Sequence, residues 1–299
     1  MRKAVYYCPA VTCFDRDREL DSEAQKNVYA HVLKGGVEGF VIMGSIGEFV
    51  YMSAAQKRQL ADLAIAELKG KAKVIVGTGG TRLQEVVGFS NEVLEKGADA
   101  VIIVAPYYFG LTPAEMERYY DLCAENIRGD IFLYNFPAAT GGDISPDLLA
   151  RLLKKHKNMA GLKDTVPGFP HTRQLIDAIR PDHPDFLVLQ GYDDNFFHSA
   201  FSGGNGCIGG LSNLYPELAA SAAAAFNAGD FAACERLQKK LNKLFQLYAI
   251  ADPFHPVMKR AMMLRGVDMK AFCCEPMPSV TEEQTEKIKA LLAEVDAME

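Results

Sequence analysis

The chain has 299 residues, 49% hydrophobic and 23% charged, so it can bury a large core and is not a disordered, collagenous or fibrous protein. Its 32 Lys and Arg against 38 Asp and Glu give a net charge of -6 without a long run of either sign, which argues against a nucleic-acid or polybasic membrane surface. The length fits one or two domains, or a single α/β barrel with an extension.

Short apolar runs alternate with segments of helical length from residue 4 to about residue 228, the pattern of repeated βα units around a parallel sheet. The predicted strands span residues 7–14, 39–43, 73–76, 100–104, 131–134, 159–163, 186–190 and 206–209. Helix start signals lie between several of them, at Asp21, Ser53, Thr81, Thr112-Pro113 and Ser145-Pro146.

Eight βα repeats close most naturally into a (β/α)8 TIM barrel. An open doubly wound sheet also uses alternating units, but no Gly-x-Gly-x-x-Gly follows the first strand, and this favours the barrel. Beyond residue 228 the pattern is helical only, over residues 230–247, 256–265 and 281–298. The sequence therefore predicts a barrel of residues 1–228 and a C-terminal three-helix extension, residues 229–299, packed on it.

The seven cysteines are scattered and odd in number, and they lack any C-x-x-C pair or nearby histidine at ligand spacing. This usage predicts reduced, mostly buried thiols in a cytoplasmic protein, and no metal site. The adjacent Cys273 and Cys274 are expected to be exposed or half-buried and without chemistry. No signal-peptide pattern and no stretch of about 20 apolar residues is present, which also fits a cytoplasmic protein.

Catalytic residues of such barrels lie at the carboxyl ends of the strands. Lys163 ends the sixth predicted strand after an apolar run, so its side chain is expected to emerge at the barrel mouth. An apolar surrounding disfavours a charged ammonium, and a neutral amine condenses with a ketone to a Schiff base, an electron sink for carbon–carbon bond cleavage or formation. From position alone, a lysine in solvent or in a salt bridge is the alternative.

Two other strand ends carry groups that suit this chemistry. The segment Gly44-Ser45-Ile46-Gly47 can form a backbone nest for a carboxylate or oxyanion, although it can equally be a plain turn. Tyr108 and Tyr134 supply phenols that can relay a proton, with the Ser45 hydroxyl as their link. Taken singly, each tyrosine can instead be a core or interface aromatic.

Five motifs then point to one family. They are Gly44-Ser45-Ile46-Gly47-Glu48, Pro106-Tyr107-Tyr108, Tyr134-Asn135-x-Pro137, Gly161-x-Lys163 and Gly191-x-Asp193-Asp194, in this order along the chain. Over nearly its whole length the sequence resembles the dihydrodipicolinate synthase and N-acetylneuraminate lyase family of class I aldolases. The resemblance implies that Lys163 forms a Schiff base with pyruvate or another 2-keto acid, and that Tyr134 moves protons to and from the substrate.

The same resemblance implies the rest of the site. The backbone amides of Ser45 and Ile46 would bind the pyruvate carboxylate, and Gly191, Asp193 and Ile208 complete the expected substrate-binding set. No metal or other cofactor is expected, because the Schiff base is covalent.

Tyr108 matches a tyrosine that, in the synthase branch, reaches across a dimer interface to complete a proton relay with Ser45 and Tyr134. The resemblance therefore implies a homo-oligomer, commonly a tetramer. The other expected partners are a small-molecule keto acid and an aldehyde.

The sequence departs from the family at two positions. Ile46 stands where the family usually has a second hydroxyl residue, and Ala139 stands where the synthase branch has an arginine for the carboxylate of aspartate semialdehyde. Losing a charged bidentate partner costs more than losing a neutral hydrogen bond, so a neutral or hydroxylated aldehyde is expected instead. Asp193 and Asp194 are expected either to accept hydrogen bonds from substrate hydroxyls or to cap the next helix.

The predicted function is a class I aldolase or lyase that cleaves or forms a 2-keto acid, either a sugar acid or a hydroxy keto acid, with pyruvate as one fragment. One alternative is 4-hydroxy-tetrahydrodipicolinate synthase of lysine biosynthesis. The other is a catalytically idle barrel that binds a keto acid, because a fold does not by itself imply an activity. The joint presence of Lys163, Tyr134 and Tyr108 argues against the idle barrel.

Overall fold

Parallel strands close into a barrel in simple chain order, each paired with the next and the last with the first. The computed structural model describes residues 3–298. The strands are β1 Val5–Pro9, β2 Gly39–Ile42, β3 Lys73–Gly77, β4 Ala100–Val104, β5 Ile131–Asn135, β6 Met159–Asp164, β7 Leu187–Gln190 and β8 Gly206–Ile208. The predicted (β/α)8 barrel is confirmed.

Helices alternate with these strands and continue beyond them. They are α1 Ser22–Lys34, α2 Ala54–Leu68, α3 Leu83–Lys96, α4 Pro113–Asn126, α5 Pro137–Thr140, α6 Pro146–Lys155, α7 Pro170–Ile179, α8 Phe196–Phe201, α9 Pro216–Ala228, α10 Phe231–Phe245, α11 His255–Leu264 and α12 Glu282–Asp296. Four predicted start residues accept a hydrogen bond from the first turn of a helix, namely Asp21, Ser53, Thr112 and Ser145. The predicted start at Thr81 differs, because α3 begins after Arg82 without a side-chain cap.

The first strand is shorter than its apolar run suggests. Residues 10–14 are buried, but beyond Ala10 they pair with no strand of the described barrel. Side chains bind part of their backbone, and Phe14 forms an isolated antiparallel bridge with Leu20. The Asn213 side chain accepts a hydrogen bond from the Val11 amide at 3.0 Å, and the Gln25 side chain accepts one from the Cys13 amide at 2.8 Å. The prediction from apolar content therefore placed the carboxyl end of β1 too late in the chain. This is the end that borders the barrel mouth.

The helices predicted after residue 228 are present as α10, α11 and α12. Helix α10 packs directly against α9 and α12, and α11 packs against α12. The division of the chain near residue 228 stays a prediction. The end of α10 and residues 246–254, which connect α10 to α11, return to the barrel mouth. Within the part of the chain that the structure describes, no helix has the length and apolar character needed to cross a bilayer.

All seven cysteines are free and buried, in agreement with the predicted reduced thiols. The expected exposure of Cys273 and Cys274 was wrong, because their exposed fractions are only 5% and 6%. The Cys274 amide donates to a buried carboxylate of Glu48 at 2.7 Å, so the pair packs against the loop that follows β2.

Candidate active site

A cavity of about 610 Å³ opens at the carboxyl ends of the strands. Six of the predicted site residues line it: Ser45, Ile46, Tyr134, Lys163, Gly191 and Ile208. The other two, Tyr108 and Asp193, are not part of its lining. The barrel therefore gathers residues from five strand ends into one site, as the fold predicts.

The register of two strands places Tyr134 beside Lys163. Tyr134 of β5 pairs with Lys163 of β6, and the following residues, Asn135 and Asp164, pair with each other. Because side chains alternate along a strand, the first pair points into the barrel and the second points outward, toward the surrounding helices. The Lys163 Nζ lies 4.5 Å from the centroid of the Tyr134 ring. Within residues 3–298 this amine has neither a hydrogen-bond nor an ion-pair partner, so it is free to meet a carbonyl group.

Burial alone does not identify the reactive lysine, since Lys163 and Lys259 are 6% and 0% exposed. Lys259 forms an ion pair with buried Glu48 and donates to the Phe272 carbonyl at 2.7 Å. These bonds hold its ammonium in place away from the cavity lining. Lys163 is therefore the better nucleophile of the two.

The loop after β2 supplies a hydroxyl and free amides. Residues Ser45–Gly47 form a 3-10 turn, and the Ser45 Oγ lies 3.3 Å from the Tyr134 hydroxyl. The amides of Gly47 and Glu48 bond within this turn, at 2.9 and 3.0 Å, whereas those of Ser45 and Ile46 have no acceptor in the described chain. His255 fixes the turn from outside, with its Nε2 3.1 Å from the Ser45 carbonyl. The turn thus offers two unused donors at the cavity, as a carboxylate site requires.

Gly191 is required by close packing at the ends of β6 and β7. Its amide donates to the Asp164 carbonyl at 2.7 Å. A Cβ at this position would lie 2.0 Å from the Thr165 Oγ1, which no side chain tolerates. Gly191 thus lets the loop after β7 approach the end of β6, and fully buried Ile208 closes the cavity on the β8 side.

Asp193 does not face the cavity. Its exposed fraction is 1%, and its carboxylate accepts hydrogen bonds from the Tyr6 hydroxyl, the Leu211 amide at 3.0 Å and the Tyr248 hydroxyl at 3.2 Å. Burial raises the pKa of Asp193 to about 6, although the bonds from Tyr6 and Leu211 oppose this shift. Asp193 therefore fixes Tyr248, which does line the cavity, and has no free oxygen directed at a substrate hydroxyl. Asp194 also lies outside the lining.

Tyr108 points away from the cavity of its own chain. The side chain is 88% exposed, and its backbone has a φ of 87°, which is unusual for an aromatic residue. Its ring packs edge-on against that of Phe109, which is 78% exposed, at 4.8 Å between centroids. Within one chain, the relay of Ser45 and Tyr134 therefore has no third phenol from Tyr108.

Thr165 is a site residue that the sequence analysis missed. It follows Lys163 by two residues, a spacing that places both on the same side of an extended chain. It is 7% exposed, lines the cavity, and has an Oγ1 without a hydrogen-bond partner within residues 3–298. A buried unpaired hydroxyl beside the Lys163 amine is available for a polar ligand atom.

We expect Thr165→Val to reduce kcat/KM by about tenfold while leaving the protein at least as stable. Valine has nearly the same shape and removes a hydroxyl that has no partner in the described chain, so folding loses no hydrogen bond. Steady-state kinetics and urea unfolding of the two proteins check this expectation. Unchanged kcat/KM would remove Thr165 from substrate contact, and a large loss of stability would show that its hydroxyl is bonded.

Aromatic residues of the α10–α11 connection were missed as well. Phe245 at the end of α10, and Tyr248 and Phe254 after it, line the cavity. The sequence predicts helix over residues 230–247, and residues 248–255 were given no role. The available signal was the concentration of aromatic residues just before α11. It could not be interpreted without knowing that this segment returns to the barrel mouth.

A charged network lies behind the lysine strand. His171 contacts Asp164 through Nδ1 at 3.0 Å and Asp143 through Nε2 at 3.2 Å, and Asn135 donates to both carboxylates at 2.9 Å. Burial alone would lower the pKa of His171, but the hydrogen bonds to Asp143 and Asp164 outweigh it and raise the pKa to about 10. The charged imidazolium thus ties the end of β6 to the loop after β5. The described residues contain no group of three or more His, Cys, Asp or Glu side chains suited to a metal ion, and independence from metal stays a prediction.

This raised pKa predicts a pH-dependent stability difference. Because His171 binds its proton more tightly when folded, its contribution is complete below about pH 6.5, the value for a free histidine, and is lost as the pH rises through about 10. We expect His171→Gln to lower the free energy of unfolding by roughly 1–3 kcal/mol at low pH, and by less near pH 10. Urea unfolding of both proteins across this range measures the difference, and a pH-independent difference would contradict the charged imidazolium.

Comparisons with known proteins identify the family of the chain. The Dihydrodipicolinate synthetase family profile matches residues 5–295. The chain is 33% identical to the probable 2-dehydro-3-deoxy-D-pentonate aldolase YjhH of Escherichia coli K12 over 95% of this chain and 94% of that protein. The crystal structure of YagE from E. coli K12 in complex with pyruvate, described as a prophage protein of the dihydrodipicolinic acid synthase family, superposes with a TM-score of 0.95 at 31% identity, covering 98% of both chains.

A dihydrodipicolinate synthase from Thermotoga maritima superposes with a TM-score of 0.93 at 25% identity and covers 99% of both chains. The match to the family profile spans the whole barrel and the helices that follow it. The chain belongs to the dihydrodipicolinate synthetase family.

Proposed function

We propose that the protein is a pyruvate-dependent class I aldolase that cleaves a 4-hydroxy-2-keto acid, a sugar acid or a related hydroxy keto acid, into pyruvate and an aldehyde, or forms it in reverse. One observation carries the proposal: the buried Lys163 amine has no partner within residues 3–298 and faces the cavity beside the Tyr134–Ser45 pair. The cytoplasmic location predicted from the sequence is part of the same proposal.

The proposed cleavage begins when the Lys163 amine attacks the C2 ketone and water leaves, which forms an iminium ion. The C4 hydroxyl gives its proton to the Tyr134–Ser45 relay as the C3–C4 bond breaks, and the electron pair of this bond moves toward the iminium nitrogen. The aldehyde leaves, the relay returns the proton to C3 of the enamine, and water hydrolyses the new iminium to pyruvate and free lysine.

The Ser45 and Ile46 amides suit the carboxylate of the pyruvate fragment in this proposal. Both residues line the cavity, and their amides have no acceptor in the described chain. Holding the carboxylate fixes C2 relative to the lysine, which lowers the entropic part of the barrier. No metal ion is needed in this scheme, because the iminium nitrogen accepts the electrons.

Relatives favour an aldolase over a synthase. YjhH and YagE carry the names probable 2-dehydro-3-deoxy-D-pentonate aldolase and putative 2-dehydro-3-deoxy-D-gluconate aldolase, at 33% and 32% identity. A relative named 4-hydroxy-tetrahydrodipicolinate synthase, from Kosmotoga olearia, is 29% identical over 81% of this chain. Ala139 in α5 also supplies no cation for a second carboxylate.

The test of this function is pyruvate release from a panel of 4-hydroxy-2-keto acids, including 2-keto-3-deoxygluconate, measured with a coupled lactate dehydrogenase. We expect turnover of at least one member, and negligible use of pyruvate with aspartate semialdehyde unless Ala139→Arg is introduced. Efficient use of the semialdehyde by the wild type would favour the synthase. No turnover of any member would favour the idle barrel.

A homo-oligomer belongs to the same proposal. The exposed rings of Tyr108 and Phe109 offer apolar surface that a second copy can cover, and the resemblance to the synthase branch assigns Tyr108 to the relay of a neighbouring chain. Light scattering checks the mass, with a dimer or tetramer expected. A single-chain mass, or full activity of Tyr108→Ser, would contradict the proposal.

A further inference from the structure

Aromatic rings form much of the cavity wall beyond the lysine. Five side chains contribute them: Phe136, Tyr192, Phe245, Tyr248 and Phe254. All five are half-buried, so part of each ring remains uncovered by protein. Apolar surface left open inside a concave site is a surface that a ligand can cover.

Four of the five rings contact one another in series. Tyr192 lies 6.0 Å from Phe245 between ring centroids, Phe245 lies 5.0 Å from Tyr248, and Tyr248 lies 5.0 Å from Phe254. Phe136 stacks on the catalytic candidate Tyr134 at 5.8 Å. These separations are typical of favourable aromatic packing, so the wall has a defined shape that does not depend on a ligand.

Besides Lys163, the polar side chains that line the cavity are Ser45, Tyr134, Thr165, Tyr192, Gln246 and Tyr248, and three of them already make hydrogen bonds within the described chain. The Tyr248 hydroxyl donates its hydrogen bond to Asp193, so only the ring of Tyr248 is available to a ligand in the cavity. Among the described residues that line the cavity, Lys163 is the one of a basic or acidic type. Thr165 and Gln246 can each pair with a substrate hydroxyl, but a fragment with several hydroxyl groups would place the others against aromatic rings. Each hydroxyl that loses water without gaining a partner costs free energy.

Resting on the proposed aldolase function, we propose that the aldehyde half of the site selects an aryl aldehyde over a hydroxylated one. The substrate class is then a 4-aryl-4-hydroxy-2-ketobutanoate. Its C3–C4 bond breaks, the C4 hydroxyl loses its proton and becomes the aldehyde oxygen, and C3 gains that proton to give the methyl group of pyruvate. Atoms and electrons balance without any oxidant or reductant.

The experiment measures aldol addition of pyruvate to benzaldehyde and to D-glyceraldehyde, as kcat/KM for each aldehyde, with product identified by mass spectrometry. We expect benzaldehyde to be preferred by about tenfold or more, because the ring buries apolar area that glyceraldehyde lacks. Phe245→Ser should reduce this preference by about tenfold. Phe231→Ser, at the other end of α10 and 64% exposed outside the cavity, is the matched control and should not change it.

Borohydride trapping of pyruvate, which involves no aldehyde, separates the two proposals. Two results would overturn the aryl half-site and leave the aldolase, provided that pyruvate is trapped at Lys163. The first is a preference for D-glyceraldehyde, and the second is an equal effect of Phe245→Ser on both aldehydes. Absence of trapping and of any addition product overturns the aldolase and the aryl half-site together. Loss of the benzaldehyde preference in Phe231→Ser would also overturn the proposal that the aromatic rings of the cavity select the aldehyde.

Discussion

Replacing Lys163 with methionine is expected to reduce turnover by roughly four orders of magnitude or more, the scale seen when a covalent nucleophile is removed. Methionine keeps an unbranched apolar stem of similar length but has no amine to form the iminium ion. The barrel should remain folded, because the Lys163 amine has no hydrogen bond or ion pair to lose within residues 3–298. Pyruvate release and thermal unfolding of the variant measure the two effects separately.

Lys259→Met is the matched control for this substitution. It removes the partner of buried Glu48, and an unpaired buried carboxylate destabilises a protein by roughly 3–5 kcal/mol. We therefore expect opposite patterns: Lys163→Met folds and is inactive, whereas Lys259→Met loses stability first. Residual turnover of Lys163→Met within about a hundredfold of wild type would mean that catalysis does not pass through this amine.

Tyr134→Phe is expected to lower kcat by two to four orders of magnitude, the usual range for a positioned acid–base group. The phenylalanine ring still stacks on Phe136 and still faces the Lys163 amine, so only the hydroxyl next to the Ser45 Oγ is lost. Iminium formation should therefore be less affected than carbon–carbon cleavage. Single-turnover kinetics that follow pyruvate release and adduct formation separate the two steps.

Ser45→Ala should do less damage than Tyr134→Phe, because its proposed carboxylate contact comes from the backbone amide and only the relay hydroxyl disappears. Tyr51→Phe provides a control for a tyrosine hydroxyl outside the cavity, since this side chain is 49% exposed. A loss below about tenfold in Tyr134→Phe would exclude its hydroxyl from proton transfer.

The barrel and the position of its reactive end were predictable because both follow from local patterns. Apolar runs specify strands, and in a parallel barrel the carboxyl ends meet at one mouth. The motif residues Ser45, Tyr134 and Lys163 are near such ends, so their convergence needed only the strand order. The error at the end of β1 arose because residues 11–14 are buried without pairing to a strand of the barrel.

The remaining site features depend on contacts between segments far apart in the chain. From the sequence, Asp193 was expected to bind a substrate hydroxyl or to cap a helix. In the structure, Tyr6 of β1 and Tyr248 of the connection after α10 donate hydrogen bonds to its carboxylate instead. The aromatic wall needs the same connection to fold back over the barrel mouth. Lys259 and Glu48 are 211 positions apart, so no local sequence pattern predicts their ion pair.

The most direct measurement of the proposed chemistry is reductive trapping. The protein is incubated with pyruvate and sodium borohydride, digested, and mapped by mass spectrometry, with Lys163→Met and Lys259→Met treated in parallel. The proposal predicts one reduced pyruvate per chain, carried by the peptide that contains Lys163, and no adduct in Lys163→Met. An adduct on Lys259 or another lysine, or none in the folded wild-type protein, would contradict it.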